Sequence, residues 1–296
     1  MLVDDQDAVA VLAQQVADRI GIPVSHIEKD FWVTEVLHGA VATAADGGLE
    51  VVFKGGTSLS KAFRLIQRFS EDVDLLVVIP GSLGTGAADT KLKLLVNGAS
   101  AATGLRPEAV PAATSKGVKR GARFHYRRND DRSGLSAGVF LEIGSRGDAM
   151  PATLIAVKSI LAEHAPQQLA DYAESEPVHV RVLDPCRTLV EKLVLLHTAH
   201  MSPDPHDAIR GARTATMACI CFVVNASPTT NPAPATVRTR WSRTDSTART
   251  RPTSVSKTSS ASGLLLRAIA TLIGVSAKLA AASAAARGPN HRLAAL

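Results

Sequence analysis

The sequence predicts an α/β (α+β) fold for the part of the chain before about residue 210, and three observations lead there. Helical stripes and short β-rich runs alternate along the chain, which argues against a helix bundle. Gly and Pro bound most of those runs. The chain has 296 residues and 46% hydrophobic content, enough to bury a substantial core.

The first helix is expected over 8–20, where Val9, Val11, Leu12, Val16 and Ile20 make a stripe that stops at Gly21-Ile22-Pro23. A second helix is expected to start at Ser25, with Ser25 and Glu28 as a capping box, and to run through Phe31, Val33, Val36 and Leu37. Residues 49–53 read as a strand ending at Gly55-Gly56. Leu59, Phe63 and Ile66 recur at helical spacing, so a short amphipathic helix is expected over 58–67. Residues 73–79 are almost continuously apolar, as in a buried strand. A helix is expected around 91–96. Strands are expected at 123–127 and 138–143, joined by the turn-rich 129–134, with another strand at 178–183. Leu189, Leu193 and Leu196 mark a helix over 188–200.

Charge divides the chain. Residues 1–209 hold 21 Lys and Arg against 26 Asp and Glu, whereas residues 210–296 hold 12 against 1. The expected organisation is a domain over 1–183, the start of a helical domain over 184–209, and an atypical segment over 210–296 with a possible Ala-rich helix at 264–286. A segment so rich in Arg, Ala, Thr, Ser and Pro cannot easily offset its ordering entropy. It also has the composition that a GC-rich gene gives when read out of frame, and a frameshift or a sequencing error is the expected origin. The longest apolar stretch, 264–286, is interrupted by Arg267 and Lys278, so no membrane span is expected. The acidic N-terminus does not read as an export signal, and three cysteines make no disulfide framework, so the expected location is the cytoplasm. His197 and His200 have no third ligand at zinc spacing.

The chemistry is concentrated in Lys54-Gly-Gly-Thr-Ser-Leu-Ser-Lys61 and Ser70-Glu-Asp-Val-Asp-Leu75. Gly55 and Gly56, between a strand and a helix, let backbone amides approach a phosphate, and Thr57 and Ser58 add hydroxyl donors. Lys54 and Lys61 flank this element as phosphate contacts or plain surface charges. Ser70 reads as a turn hydroxyl, a nucleotide contact or a modification site. Asp72 and Asp74 lie two apart on a strand, so both carboxylates face one side and can hold Mg²⁺ through hard oxygen ligands while substrate phosphates fill other positions. Glu142 sits in an apolar strand, where a carboxylate is costly without a partner or metal, and is a candidate third metal carboxylate and base. Lys116, Lys119, Arg120, Arg123, Arg127 and Arg128, interleaved with Phe124 and Tyr126, form a basic and aromatic patch that suits RNA, with a solvated hairpin face as the alternative.

A Gly-Gly-Thr/Ser element followed by an Asp-x-Asp strand and a lone acidic strand residue resembles the polymerase-β-like nucleotidyltransferase superfamily. The wording Phe-Lys-Gly-Gly-Thr-Ser-Leu-Ser-Lys and Arg-Phe-Ser-Glu-Asp-Val-Asp-Leu is closer still to the AbiEii-type nucleotidyltransferase toxins. Glu28-Lys29-Asp30-Phe31-Trp32 and Arg187-Thr-Leu-Val-Glu-Lys-Leu193 resemble two further helices of that family, so that the likeness spans about 25–200. The resemblance implies a polymerase-β-like domain, use of NTP and Mg²⁺, transfer onto an RNA acceptor such as a tRNA 3′ end, and a cognate antitoxin. It further implies catalytic roles for Asp72, Asp74, Glu142 and Lys192, with Lys192 on nucleotide phosphates.

The departure is C-terminal. The family carries an aspartate in a His/Arg-rich, Tyr-containing stretch, and nothing like it follows Asp207. The alternatives are therefore a catalytically impaired relic or antitoxin-binding module, a nucleotidyltransferase acting on a small molecule such as an antibiotic, or an RNA-binding protein using the basic patch.

Overall fold

The computed structural model describes residues 1–66, 70–127 and 134–201. Two compact units divide the chain, Met1–Thr188 and Leu189–Leu296. Only the first is described throughout most of its length. The segment 210–296, with its expected helix at 264–286, lies outside the described residues.

Helix α1 (Gln6–Ile20) begins where the Asp5 carboxylate accepts hydrogen bonds from the amides of Asp7 and Ala8, and ends at Gly21 in the left-handed conformation. Helix α2 (Val24–Asp46) follows Pro23 directly. The capping box expected at Ser25 and Glu28 does not form. Ser25 lies inside the first turn with a buried, unpartnered hydroxyl, and no side chain caps the helix. Helix α2 also runs nine residues past Leu37, because 40–46 is rich in alanine, the best helix former. Fifteen of its 23 residues are buried, so it is a central helix and not an amphipathic one.

Strand β1 (Glu50–Lys54) leads into a short helical turn, α3 (Gly55–Thr57), and a single π turn over Ser58–Ala62. The helix expected over 58–67 is therefore cut short, ending near Arg64, which has φ 54°. Residues 67–69 are outside the described set. Strand β2 (Asp72–Val78), helix α4 (Thr85–Thr103) and strand β3 (Pro107–Ala109) follow. Then come β4 (Lys119–Phe124), β5 (Val139–Gly144) and β6 (Ala152–Val157). Helix α5 (Ile160–His164), β7 (Val178–Leu183) and α6 (Pro185–Met201) complete the described chain. The strand expected at 123–127 thus lies four residues earlier. β3 and β6 had no signal because one is three residues long and the other carries no polar alternation.

The seven strands form one mixed sheet in the order β3-β4-β5-β2-β1-β7-β6. β1 pairs antiparallel with β2 and parallel with β7, while β2 pairs parallel with β5. β4 pairs antiparallel with β5, as the two expected neighbouring strands should. Alternation sorts the two faces. Val73, Leu75 and Val77 join Phe53, Leu141, Ile143 and Phe124 in the core beneath α1, α2 and α4. Among the described residues, the opposite face has a small cluster of Val52, Leu76 and Leu183, and it carries the polar residues of β2 and β5.

Helices α2 and α4 meet where Gly39 removes a side chain. A Cβ there would lie 2.9 Å from both Ala99 Cα and the Gly98 carbonyl oxygen, which are backbone atoms with little freedom to retreat. Gly39→Ala should therefore destabilise the chain by about 1–3 kcal/mol despite alanine's better helix propensity, as read from the urea midpoint at an unchanged slope.

Candidate active site

The ladder places the chemically important residues in rows. Lys54 of β1 is opposite Asp74 of β2, Asp74 is opposite Glu142 of β5, and Glu142 is opposite Gly121 of β4. A second row holds Asp72, Phe140 and Arg123. Directly opposed residues share a face, so both aspartates and Glu142 emerge on the side of the sheet away from α1, α2 and α4. A cavity of about 140 Å³ opens there, lined by Lys54, Asp74, Lys119, Glu142 and Arg146 among others.

Gly55 is required by this arrangement. It has φ 80°, and a Cβ on it would come 2.2 Å from Asp74 Oδ2. The carboxylate of Asp74 thus rests against the backbone of the Gly-Gly turn. No side chain caps that turn.

The hydroxyls behave differently from expectation. Thr57 is buried and donates to the Asp72 carbonyl, which leaves its oxygen to accept from Ser70 Oγ at 2.7 Å. Ser58 is fully buried and donates to the Gly55 carbonyl at 2.9 Å. Thr57 and Ser70 hold the turn to the start of β2, and Ser58 closes the turn on itself. Lys61, expected at a phosphate, points inward instead. Its side chain is 8% exposed and its ammonium is 2.5 Å from Asp30 Oδ1. Gly56 is half-buried in the same turn.

Glu142 is engaged by Lys119 at 2.7 Å. Among the described residues, no three His, Cys, Asp or Glu side chains are assembled as a metal-holding group. What remains is the β2 pair with Glu142 turned to Lys119. Around Asp72, the surrounding protein strips water from a carboxylate that is still exposed by area. Glu71 and Glu142 add like charge, and together these outweigh Lys29 and Arg123 and raise its pKa. Burial pushes Glu71 upward, but the Lys29 charge and hydrogen bond and the Ser136 amide overcome it, and its pKa falls.

The expected basic patch is divided by strand alternation. Arg123 stacks over Phe140 at 5.3 Å and donates to the Ala137 carbonyl on the site face. Arg120 turns to the other face and pairs with Asp89 of α4 at 2.8 Å, which holds the Asp89 carboxyl well below its usual range. Arg127 pairs with Asp7, Lys116 is exposed, and Arg128 lies outside the described residues. Phe124 and Tyr126, interleaved in that patch, are core residues, and Tyr126 stacks on Trp32 at 5.5 Å. Lys192 is on α6 in the second unit. Arg146 lines the cavity but was not evident in the sequence. Only the register of Glu142 on β5 would have pointed to it.

A mixed sheet with a Gly-Gly turn packed on an Asp-x-Asp strand, next to a strand bearing a third carboxylate, defines the nucleotidyltransferase class. The chain belongs to the AbiEii family: the profile described as nucleotidyl transferase AbiEii toxin, Type IV TA system, matches residues 40–210. It is accordingly a nucleotidyltransferase toxin of a type IV toxin–antitoxin system, a family that pairs each toxin with an antitoxin. A solved structure of an antigenic nucleotidyltransferase-like protein from Paracoccidioides brasiliensis is similar to it at 15% identity, covering 67% of this chain and 77% of that one with a TM-score of 0.38. No curated protein matches. Among the described residues, no helix is long and apolar enough to cross a membrane.

Gly48 provides a control for the role of Gly55. It also has positive φ, at 60°, but a Cβ there meets nothing within 4 Å. Gly48→Ala should cost about 1–2 kcal/mol from the left-handed conformation alone. Gly55→Ala should cost more, because Asp74 must also move, and urea unfolding of the two variants side by side measures the difference.

Proposed function

We propose that the chain transfers a nucleotidyl group from an NTP to an RNA 3′-hydroxyl, with the tRNA end as the acceptor and Mg²⁺ as the metal. The observation that carries this reading is the register that sets Asp74 opposite Glu142 and against Gly55, so that two β2 carboxylates, a third acid and a Gly-Gly turn share one face of the central strands.

Asp72 and Asp74 hold the metal in this reading. Their donor set fits Mg²⁺, since hard carboxylate oxygens stand on one face of one strand and like charge crowds Asp72, a strain that a divalent cation relieves. Mg²⁺ when bound polarises the α-phosphate and offsets charge on the leaving pyrophosphate. The amides of the Gly55–Gly56 turn receive phosphate oxygens. Lys54, Lys119 and Arg146 line the same cavity and offer cations to the triphosphate and the RNA backbone. In the reaction, the RNA 3′-oxygen bonds to the α-phosphorus, the α–β phosphoanhydride breaks, and the hydroxyl proton passes to the Glu142 carboxylate. Thr57, Ser58, Ser70 and Lys61 serve by fixing the turn, since their polar groups are already used internally.

A transfer assay with total tRNA, Mg²⁺ and each labelled NTP in turn tests the reading. Wild type should label RNA, and Asp74→Ala should reduce the rate by at least about 1,000-fold while remaining folded. Folded wild type that labels no RNA with any NTP, or an active Asp74→Ala, would refute it.

A further inference from the structure

Lys29 is the least expected buried group in the molecule. It lies on α2 with no exposed surface, yet an ammonium is costly to remove from water unless it is fully partnered. Its partners come from two places that the site needs. Nζ donates to Glu71 Oε2 at 3.2 Å, to the Ser136 carbonyl at 2.9 Å and to the Gly138 carbonyl. Glu71 immediately precedes Asp72, and Gly138 immediately precedes the first residue of β5. Glu71 Oε2 also accepts from the Ser136 amide at 2.6 Å, which closes a ring around the two strand starts. The neighbouring residue acts in parallel. Asp30 accepts from Lys61 of the π turn at 2.5 Å and from the Ile160 amide at the start of α5 at 2.7 Å.

β2 and β5 are parallel neighbours, and parallel strands have no hairpin to fix their relative register. Something outside the ladder must hold the ends at which Asp72, Asp74 and Glu142 emerge.

We propose that Lys29 is a positioning residue for nucleotidyl transfer, setting the separation and register of the β2 and β5 starts and so of the carboxylates they carry. It touches no reacting atom. Its effect passes through Glu71 and the 136–138 backbone to Asp72 and Glu142. The inference rests on the nucleotidyl-transfer reading only for its activity readout.

The test uses the full chain as wild type, Lys29→Met and the double variant Lys29→Met with Glu71→Met. Hydrogen exchange is followed at 72–74 and 139–141, with β7 as reference, together with thermal stability and transfer kinetics. Lys29→Met should exchange at least about tenfold faster at the two strand starts and unchanged in β7. Its kcat should fall on the order of 100-fold, the effect of a displacement near 1 Å, with KM for the NTP within about threefold of wild type. The double variant removes both charges, so it should regain much of the thermal stability but not kcat. It also carries the exchange and kinetic measurements if Lys29→Met does not fold. Unchanged exchange at 72–74 and 139–141 would overturn the proposal, as would a double variant with wild-type kcat. If wild type transfers no nucleotide, the nucleotidyl-transfer reading fails, and the exchange pattern alone decides the role of Lys29.

Discussion

The constraint on which the rest depends is the adjacent pair Lys29–Asp30, buried side by side on the central helix. Successive residues on a helix point about 100° apart. One helical turn can therefore grip two sets of segments, the starts of β2 and β5 through Lys29 and the π turn and α5 through Asp30. Buried ion pairs are weak evidence of net stability, because the cost of desolvating two charges rivals their attraction. What they supply here is geometry: replacing either partner by an apolar group leaves nothing to specify where the loops stop.

From that frame the open face of the central strands follows. β2 lies between β1 and β5, so a residue on its open face has a neighbour on each side, Lys54 and Glu142 for Asp74. The turn after β1 must pass close over Asp74, and only glycine at 55 allows it. The hydroxyls of Thr57 and Ser70 then bind the turn to β2, while Ser58 closes the turn on the Gly55 carbonyl. The Gly-Gly-Thr-Ser sequence thus divides its work, with glycines leaving backbone available toward the open face and hydroxyls consumed in holding it there.

Much of this was legible beforehand, and the failures have physical causes. The strand over 178–183 and the helix after it follow from unbroken apolar periodicity, and the Asp-x-Asp spacing alone puts Asp72 and Asp74 on one face. What sequence could not show is which polar side chains are used internally. Lys61 looks like any lysine beside a phosphate loop until Asp30, thirty-one residues away, is brought to it. The basic run at 116–128 looks like one patch only if its residues share a face. As a strand it sends Arg120 to Asp89 and Arg123 to the opposite side. Phe124 and Tyr126 fit an RNA-binding patch by sequence because a strand with apolar alternation and an exposed aromatic ladder have the same spelling.

The most direct test of the central claim is a crystal structure of the full chain with Mn²⁺ and a non-hydrolysable NTP analogue, read by anomalous scattering at the manganese edge. The account predicts a peak bound by carboxylate oxygens of both Asp72 and Asp74, at about 2.1 Å, with the triphosphate on the Gly55–Gly56 turn. A bound nucleotide whose metal lies away from those two carboxylates would contradict it.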